Sequence, residues 1–167
     1  ADQLAPLWAS LERIGYEYLS TPLAWLGAVS YSLQLYFDFS GYSLMAMGLG
    51  QMLALPVPRN FDLPYTARSV SEFYRRWHIT LGTWFRDYVY IPLGGSRCRL
   101  RRTCLNLLIV FTLTGLWHGA DWNFLLWGLG LFGILTVEKL WLKKYLDRWP
   151  VLGHLYMLVL IPLSWAV

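Results

Sequence analysis

Charge is what this sequence has least of. Only 14% of its 167 residues are Asp, Glu, Lys or Arg, fewer than an ordinary soluble domain carries. The shortage is concentrated in windows: no charged residue falls between Glu17 and Asp38, Asp38 and Arg59, Arg102 and Asp121, or Asp121 and Glu138, or after Arg148. Each window is long enough to cross or nearly cross a bilayer. Cysteine is also scarce. Cys98 and Cys104 have neither a metal-ligand spacing nor the makings of a disulfide framework, and free thiols are expected. The chain lacks an initiating methionine, a basic leader before an apolar core, and a polar tail after Val167, so both ends are expected to be cut from a longer polypeptide. Walker loop, dinucleotide fingerprint, metal cluster and nucleic-acid module are missing too, and no metal, bound cofactor or nucleic-acid partner is expected.

What is there is apolar: 56% hydrophobic and 17% aromatic residues, with mean hydropathy +0.39. The expected fold class is all-α, a polytopic membrane helical bundle with cytoplasmic amphipathic or re-entrant helices. Residues 1–167 are read as part of a single membrane domain truncated at both ends. Apolar helices are expected near 23–37, 42–55, 103–117, 122–137 and 150–167. Residues 1–22, with Asp2, Glu12, Arg13 and Glu17 among leucines and aromatics, read as a short amphipathic helix broken by Pro22. Asp38-Phe39-Ser40-Gly41 is expected to turn the chain between two arms of a hairpin. Gly48 and Gly50 in the second arm are small enough for a neighbouring helix to approach.

Residues 59–102 contain nine arginines against Asp62, Glu72 and Asp87, which marks them as cytoplasmic. Phe73, Tyr74, Trp77, Trp84, Phe85, Tyr88 and Tyr90 are interleaved with the charges. Ser69 and Glu72 form a capping-box start, and residues 70–90 then read as one amphipathic helix on the inner membrane face. From there 103–117 runs outward, 119–121 turns, 122–137 returns, and Lys139, Lys143, Lys144 and Arg148 mark the inner side. Counting back, the arm 42–55 descends, which puts Asp38 at the level of His118.

The run TCLNLLIVFTLTGLWHGADW (103–122) is the stretch around which this plan is organised. A helix over 103–117 climbs roughly 22 Å at about 1.5 Å per residue, short of the roughly 30 Å hydrocarbon thickness. With its arginine end at one surface, His118 stops before the other. An ionisable group at that depth needs water, a partner or a substrate, and the glycine after it can end the helix. The plain alternative is a capping histidine.

His78, in Arg75-Arg76-Trp77-His78, is expected to face the same pore from the opposite, cytoplasmic end. A histidine titrating near neutrality can take the proton of a hydroxyl attacking a thioester, as acyl transfer requires. Arg75, Arg76 and Arg86 suit the phosphates of an acyl carrier such as coenzyme A, although positive-inside anchoring accounts for them equally. Asp38 either orients a histidine or binds a hydroxyl, or caps the helix beginning near Gly41. Trp77 and Trp117 are packing residues first and a substrate wall second. His154 reads as a helix-face or interface histidine. Intramembrane histidines also fit a proton-coupled transporter, the reading from another functional class.

The runs YFDFSGYS (36–43), NFDLPY (60–65), SVSEFYRRWHITLGTWFRDYVYIPLGG (69–95) and LWHGADWNFLLWG (116–128) closely resemble the membrane-bound O-acyltransferases, most of all their bacterial alginate O-acetyltransferase branch. That resemblance covers roughly residues 2–167. It implies a multi-pass inner-membrane enzyme that moves an acetyl group from acetyl-CoA or another acyl thioester toward the far side, for O-acetylation of an extracellular polysaccharide. It implies an extracytoplasmic acetyltransferase partner, with D-alanyl transfer to teichoic acid or peptidoglycan O-acetylation as alternatives. His118 matches the family's essential histidine and His78 its second, cytoplasmic-side histidine. Leu44 stands where many members have an aspartate. Relatives extend beyond both ends, so part of the catalytic tunnel is expected outside this stretch.

Overall fold

The computed structural model describes residues 4–165, and among them every regular element is helical. Two compact units are formed: one runs through Arg59 and resumes at Leu158, the other is Asn60–Met157.

In the first unit, α1 (Ala5–Ile14) is the amphipathic helix expected near the start, while Asp2 lies outside the described residues. Its buried Leu11 and its Trp8 pack against α2 (Thr21–Met52), where Gly27 leaves room for Leu11 and Tyr31 meets the Trp8 ring at 4.9 Å. Pro22 does not break a helix here. It occupies the first turn of α2, where a missing N–H costs nothing.

The expected hairpin is replaced by one helix. α2 runs unbroken through Asp38-Phe39-Ser40-Gly41 for 32 residues, roughly 48 Å at about 1.5 Å per residue. One internal glycine costs only about 1 kcal/mol of helix propensity, and no proline stands here to remove a hydrogen bond. Asp38 is therefore an exposed mid-helix residue rather than a cap, and the inference that set it level with His118 loses its turn. The helix ends at Met52, before residue 55, where Leu53 N–H bonds back to Leu49 and Gly50 and Ala54 takes positive φ.

The second unit carries the remaining expectations. α3 (Val70–Arg76) starts as the capping box indicates, Ser69 Oγ accepting from Glu72 N–H at 3.1 Å. It does not continue to residue 90. The chain breaks at Trp77-His78, resumes as α4 (Ile79–Phe85) and closes with a π turn over Arg86–Tyr90. α5 (Leu100–His118) begins three residues before the expected start, and its Asn106 is fully buried, donating to the carbonyls of Leu93 and Gly95. Asp121 caps α6 (Trp122–Val137), accepting from Trp122 N–H at 2.6 Å. α6 runs on through a π turn (Glu138–Leu142) into α7 (Lys143–Arg148).

Among the described residues, this continuous Trp122–Arg148 stretch is the one helix long and apolar enough to cross a membrane. α8 (Pro150–Ser164) is apolar but shorter. The last two residues of the expected 150–167 segment lie outside the described residues.

α5 and α6 form a tight antiparallel pair because small residues stand where they cross. A Cβ on Gly128 would run into the carbonyl oxygen of Phe111, and one on Gly115 into that of Phe124. Close backbone approach of this kind is what glycine permits between apolar helices. Replacing Gly128 with alanine should destabilise the protein by about 1–3 kcal/mol through overpacking. At Gly130, where nothing lies within 4 Å, alanine should be neutral or stabilise by up to about 1 kcal/mol. Thermal unfolding of the two variants in detergent checks the contrast.

Candidate functional site

His118 is the last residue of α5, and its ring sits in an aromatic collar. Trp117 meets it edge-on at 4.9 Å, Trp127 of α6 lies tilted at 5.0 Å, and Phe124 stacks at 6.4 Å. Gly119 follows with φ 172, an extended backbone open to any residue. What requires glycine there is the Phe124 ring lying directly against it.

The His118 side chain is exposed within this chain, and its Nδ1 stands 2.8 Å from the carbonyl oxygen of Thr114. A carbonyl only accepts, so Nδ1 carries a hydrogen, and in the unprotonated form of the ring the lone pair lies on Nε2. That is the tautomer a general base needs.

His78 occupies the break between α3 and α4 with φ 46, ψ 52. A left-handed conformation at a residue other than glycine is uncommon and persists where its surroundings enforce it. Asn60 supplies the enforcement. Its carbonyl accepts from Ile79 N–H at 3.0 Å, and its Oδ1 accepts from Thr80 N–H at 3.2 Å and Thr80 Oγ at 3.0 Å. The same Oδ1 lies 3.2 Å from His78 Nδ1. Since the Thr80 N–H fixes that atom as the oxygen, His78 Nδ1 is again the donor and Nε2 again carries the lone pair.

The two histidines, expected to face one pore from opposite ends, both meet the indole of Trp117. The His78 ring packs edge-on against Trp117 at 6.0 Å. Half-burial, and secondarily the charge of His118, push the His78 pKa down to about 4. The break in the 70–90 helix thus turns His78 toward the end of α5.

The other expected residues divide. Trp117, 57% exposed, touches both imidazoles. Trp77 is core, stacked on Phe73 at 5.4 Å and edge-on to Phe61 at 5.0 Å. Arg75 and Arg76 line a polar cavity of about 400 Å³ with Asp62, Arg68, Ser69, Glu72, Lys143 and Asp147. Arg76 pairs with Glu72 at 2.7 Å, while Arg75 is exposed. Burial, the largest influence on Glu72, works to raise its pKa. The Arg68 N–H and the Arg76 guanidinium outweigh it, and the carboxyl is held below its ordinary range. Arg86 is exposed, outside that cavity lining, and paired with Asp87 at 2.8 Å. Asp38 belongs to the first unit. Among the described residues no cluster of His, Cys, Asp and Glu suits a metal ion.

Sequence reasoning assigned no role to Asn60 or Glu138. Asn60 stands in the NFDLPY run, but nothing local links it to residues 78–80. Glu138, read only as the charge ending an apolar window, is fully buried. Its Oε2 accepts from Val70 N–H at 2.7 Å and its Oε1 from Ser71 N–H at 3.0 Å. It satisfies two of the donors left open at the start of α3 and ties the helix leading to His78 onto the one carrying Trp127.

His78 should therefore titrate near 4 rather than near its ordinary 6.5, and His118→Ala should raise that midpoint by removing the secondary cause. The folded pKa is depressed, so the unfolded chain binds more protons between the two values. The His78 contribution is complete above about pH 6.5, declines as pH falls toward 4 and is flat below. Imidazole NMR, with thermal midpoints of wild type and His78→Ala compared across that window, checks both statements.

The family model for the membrane-bound O-acyltransferase family matches residues 8–150. The chain is 52% identical over 139 residues to a probable alginate O-acetylase AlgI of Azotobacter vinelandii, covering 83% of this chain and 28% of that protein. It is 45% identical over 153 residues to a peptidoglycan O-acetyltransferase of Helicobacter pylori (89% and 29%), and 34% identical over 122 residues to a teichoic acid D-alanyltransferase of Streptococcus thermophilus (68% and 29%). The chain thus spans less than a third of the length of these curated relatives. With the family model covering most of its length and both histidine runs, the chain belongs to the membrane-bound O-acyltransferase family.

Proposed function

We propose that the full-length protein is an inner-membrane O-acyltransferase. It moves an acetyl group from a cytoplasmic acyl thioester such as acetyl-CoA to the far side of a multi-pass helical bundle, for O-acetylation of an alginate-like extracellular polysaccharide. The observation carrying this reading is the pair of neighbouring imidazoles, each with Nδ1 tied to an oxygen and Nε2 left as an acceptor. On this reading residues 1–167 are part of one membrane domain. The 59–102 region faces the cytoplasm, and Trp122–Arg148 is one of several spans, the others completed by the rest of the chain.

In the reaction, the acceptor hydroxyl adds to the thioester carbonyl carbon while its proton passes to Nε2 of His118. Collapse breaks the C–S bond, and the departing thiolate takes that proton back from the imidazolium. His78, kept neutral by burial, adds no cation to the transferring group and offers Nε2 as a second acceptor on the donor side. Arg75 and Arg76, on the helix that ends at His78, suit the anionic part of the donor. Trp77 fixes the end of α3, and Trp117 forms a wall touching both imidazoles. Arg86 is paired with its neighbour Asp87 and Asp38 stands mid-helix in α2. An extracytoplasmic acetyltransferase partner completes delivery to the polymer.

The match to a peptidoglycan O-acetyltransferase, at 45% identity, favours a second acceptor within the same chemistry. His118→Ala in the full-length protein should abolish polymer acetylation while the protein stays in the membrane. Mass spectrometry of the cell-surface polymers checks this and identifies the acceptor, and normal acetylation in the variant would contradict the proposal.

A further inference from the structure

A short segment, Asn60-Phe61-Asp62, splints the break between α3 and α4 from both sides. Asp62 N–H donates to the carbonyl of Arg76 at 3.0 Å, and Ile79 N–H donates to the carbonyl of Asn60 at 3.0 Å. Phe61, between them, sets its ring edge-on to Trp77 at 5.0 Å. Both hydrogen bonds are made by backbone and need no particular side chain at position 60. The Asn60 side chain does something further. Its Oδ1 lies 3.2 Å from His78 Nδ1, 3.2 Å from Thr80 N and 3.0 Å from Thr80 Oγ. Three donors converge on one oxygen, and one of them is the imidazole.

We infer that Asn60 is a positioning residue for acyl transfer, acting through His78: its side-chain oxygen fixes the imidazole through Nδ1–H, and its neutrality leaves the ring without a counter-charge. The inference rests on the acyl-transfer reading, in which His78 offers Nε2 on the donor side.

The choice of side chain supports it. Hydrogen bonds to an ionised oxygen are roughly twice as strong as neutral ones, so aspartate would hold the same three donors better. Asparagine is the weaker anchor for the bend. What it offers is an acceptor that carries no charge. A carboxylate 3.2 Å from Nδ1 would favour the imidazolium, which has hydrogen on both nitrogens and accepts on neither. The surroundings agree with that reading. Half-burial, and secondarily the charge of His118 on α5, hold His78 uncharged. Thr80 on α4 and Trp117 on α5 add no charge beside it. The charged groups flanking the break, Arg75 and Arg76 on α3 and Asp62 on the splint, line the polar cavity. An amide at position 60 thus preserves what burial establishes.

Asn60→Ala, Asn60→Asp, His78→Ala and the Asn60→Ala/His78→Ala pair, each in the full-length protein in native membranes supplied with an acetyl thioester, test this. Asn60→Ala should lower the transfer rate by about 10–100-fold, the range seen when the hydrogen-bonded support of a ligating histidine is removed. It should cost nothing further once residue 78 is alanine, because the side chain acts through that ring. A residue that only holds the fold would cost the same factor in both backgrounds, and that result would overturn the inference. So would an undiminished rate in Asn60→Ala or in His78→Ala. Asn60→Asp keeps both shape and acceptor, so a purely structural role predicts an unmoved His78 titration. The inference predicts that its midpoint, read by imidazole NMR, rises from about 4 toward the ordinary 6.5, and that the rate relative to wild type falls as pH drops through it. An unmoved midpoint would contradict this. Transfer that survives His118→Ala sinks the acyl-transfer reading itself, whereas loss there with a full rate in Asn60→Ala removes only the role of Asn60.

Discussion

The close crossing of α5 and α6 is the constraint on which the site depends. Gly115 and Gly128 let the two backbones meet without side chains between them, and that approach brings the Trp127 indole against His118. A wider crossing would leave the imidazole at the end of α5 with only its own neighbour Trp117 beside it. Asp121 holds the return by capping α6, and Gly119 yields its side-chain space to Phe124. The sequence GLWHGADWNF is thus a compact instruction: stop a helix on a histidine, turn in three residues, and place an aromatic collar around the ring.

The second histidine reaches the same place by a costlier route. His78 adopts a left-handed backbone that β-carbon residues avoid, and the chain tolerates it because Asn60 binds His78, Ile79 and Thr80 on one side of the break while the Asp62 N–H donates to the Arg76 carbonyl on the other. Glu138 reinforces this from another direction, its buried carboxyl oxygens holding the start of α3 to the end of α6. Strain held in place by surrounding hydrogen bonds is a common property of functional sites. Here it delivers a half-buried imidazole that stays neutral beside a more exposed one.

Much of this was legible in the residues. Ser69 with Glu72 announced α3, the charge-free windows announced α5 and α6, Asp121 announced the turn between them, and the two histidine runs identified the family. What the sequence hid depended on distant partners. Asp38-Phe39-Ser40-Gly41 reads as a turn because it is polar and holds a glycine, yet nothing in it prevents helical hydrogen bonding, and α2 passes through. The break at Trp77-His78 is invisible in the apolar spacing of residues 70–90, because its cause is an asparagine 18 positions earlier. Glu138 lies 68 positions from the amide it binds and read locally as an ordinary helix-end charge.

Two imidazoles, each tied through Nδ1 to an oxygen and both against the Trp117 indole, form a site in which half-burial keeps one of them, His78, from gathering charge. The tautomers are the centre of this account, since each Nδ1 bond decides which nitrogen faces the substrate. Nitrogen-15 NMR of the full-length protein, labelled at histidine and held near pH 7.5, reads them directly. The expected result is that, in the unprotonated ring, both His78 and His118 carry their hydrogen on Nδ1. An Nε2–H tautomer at either position would contradict it.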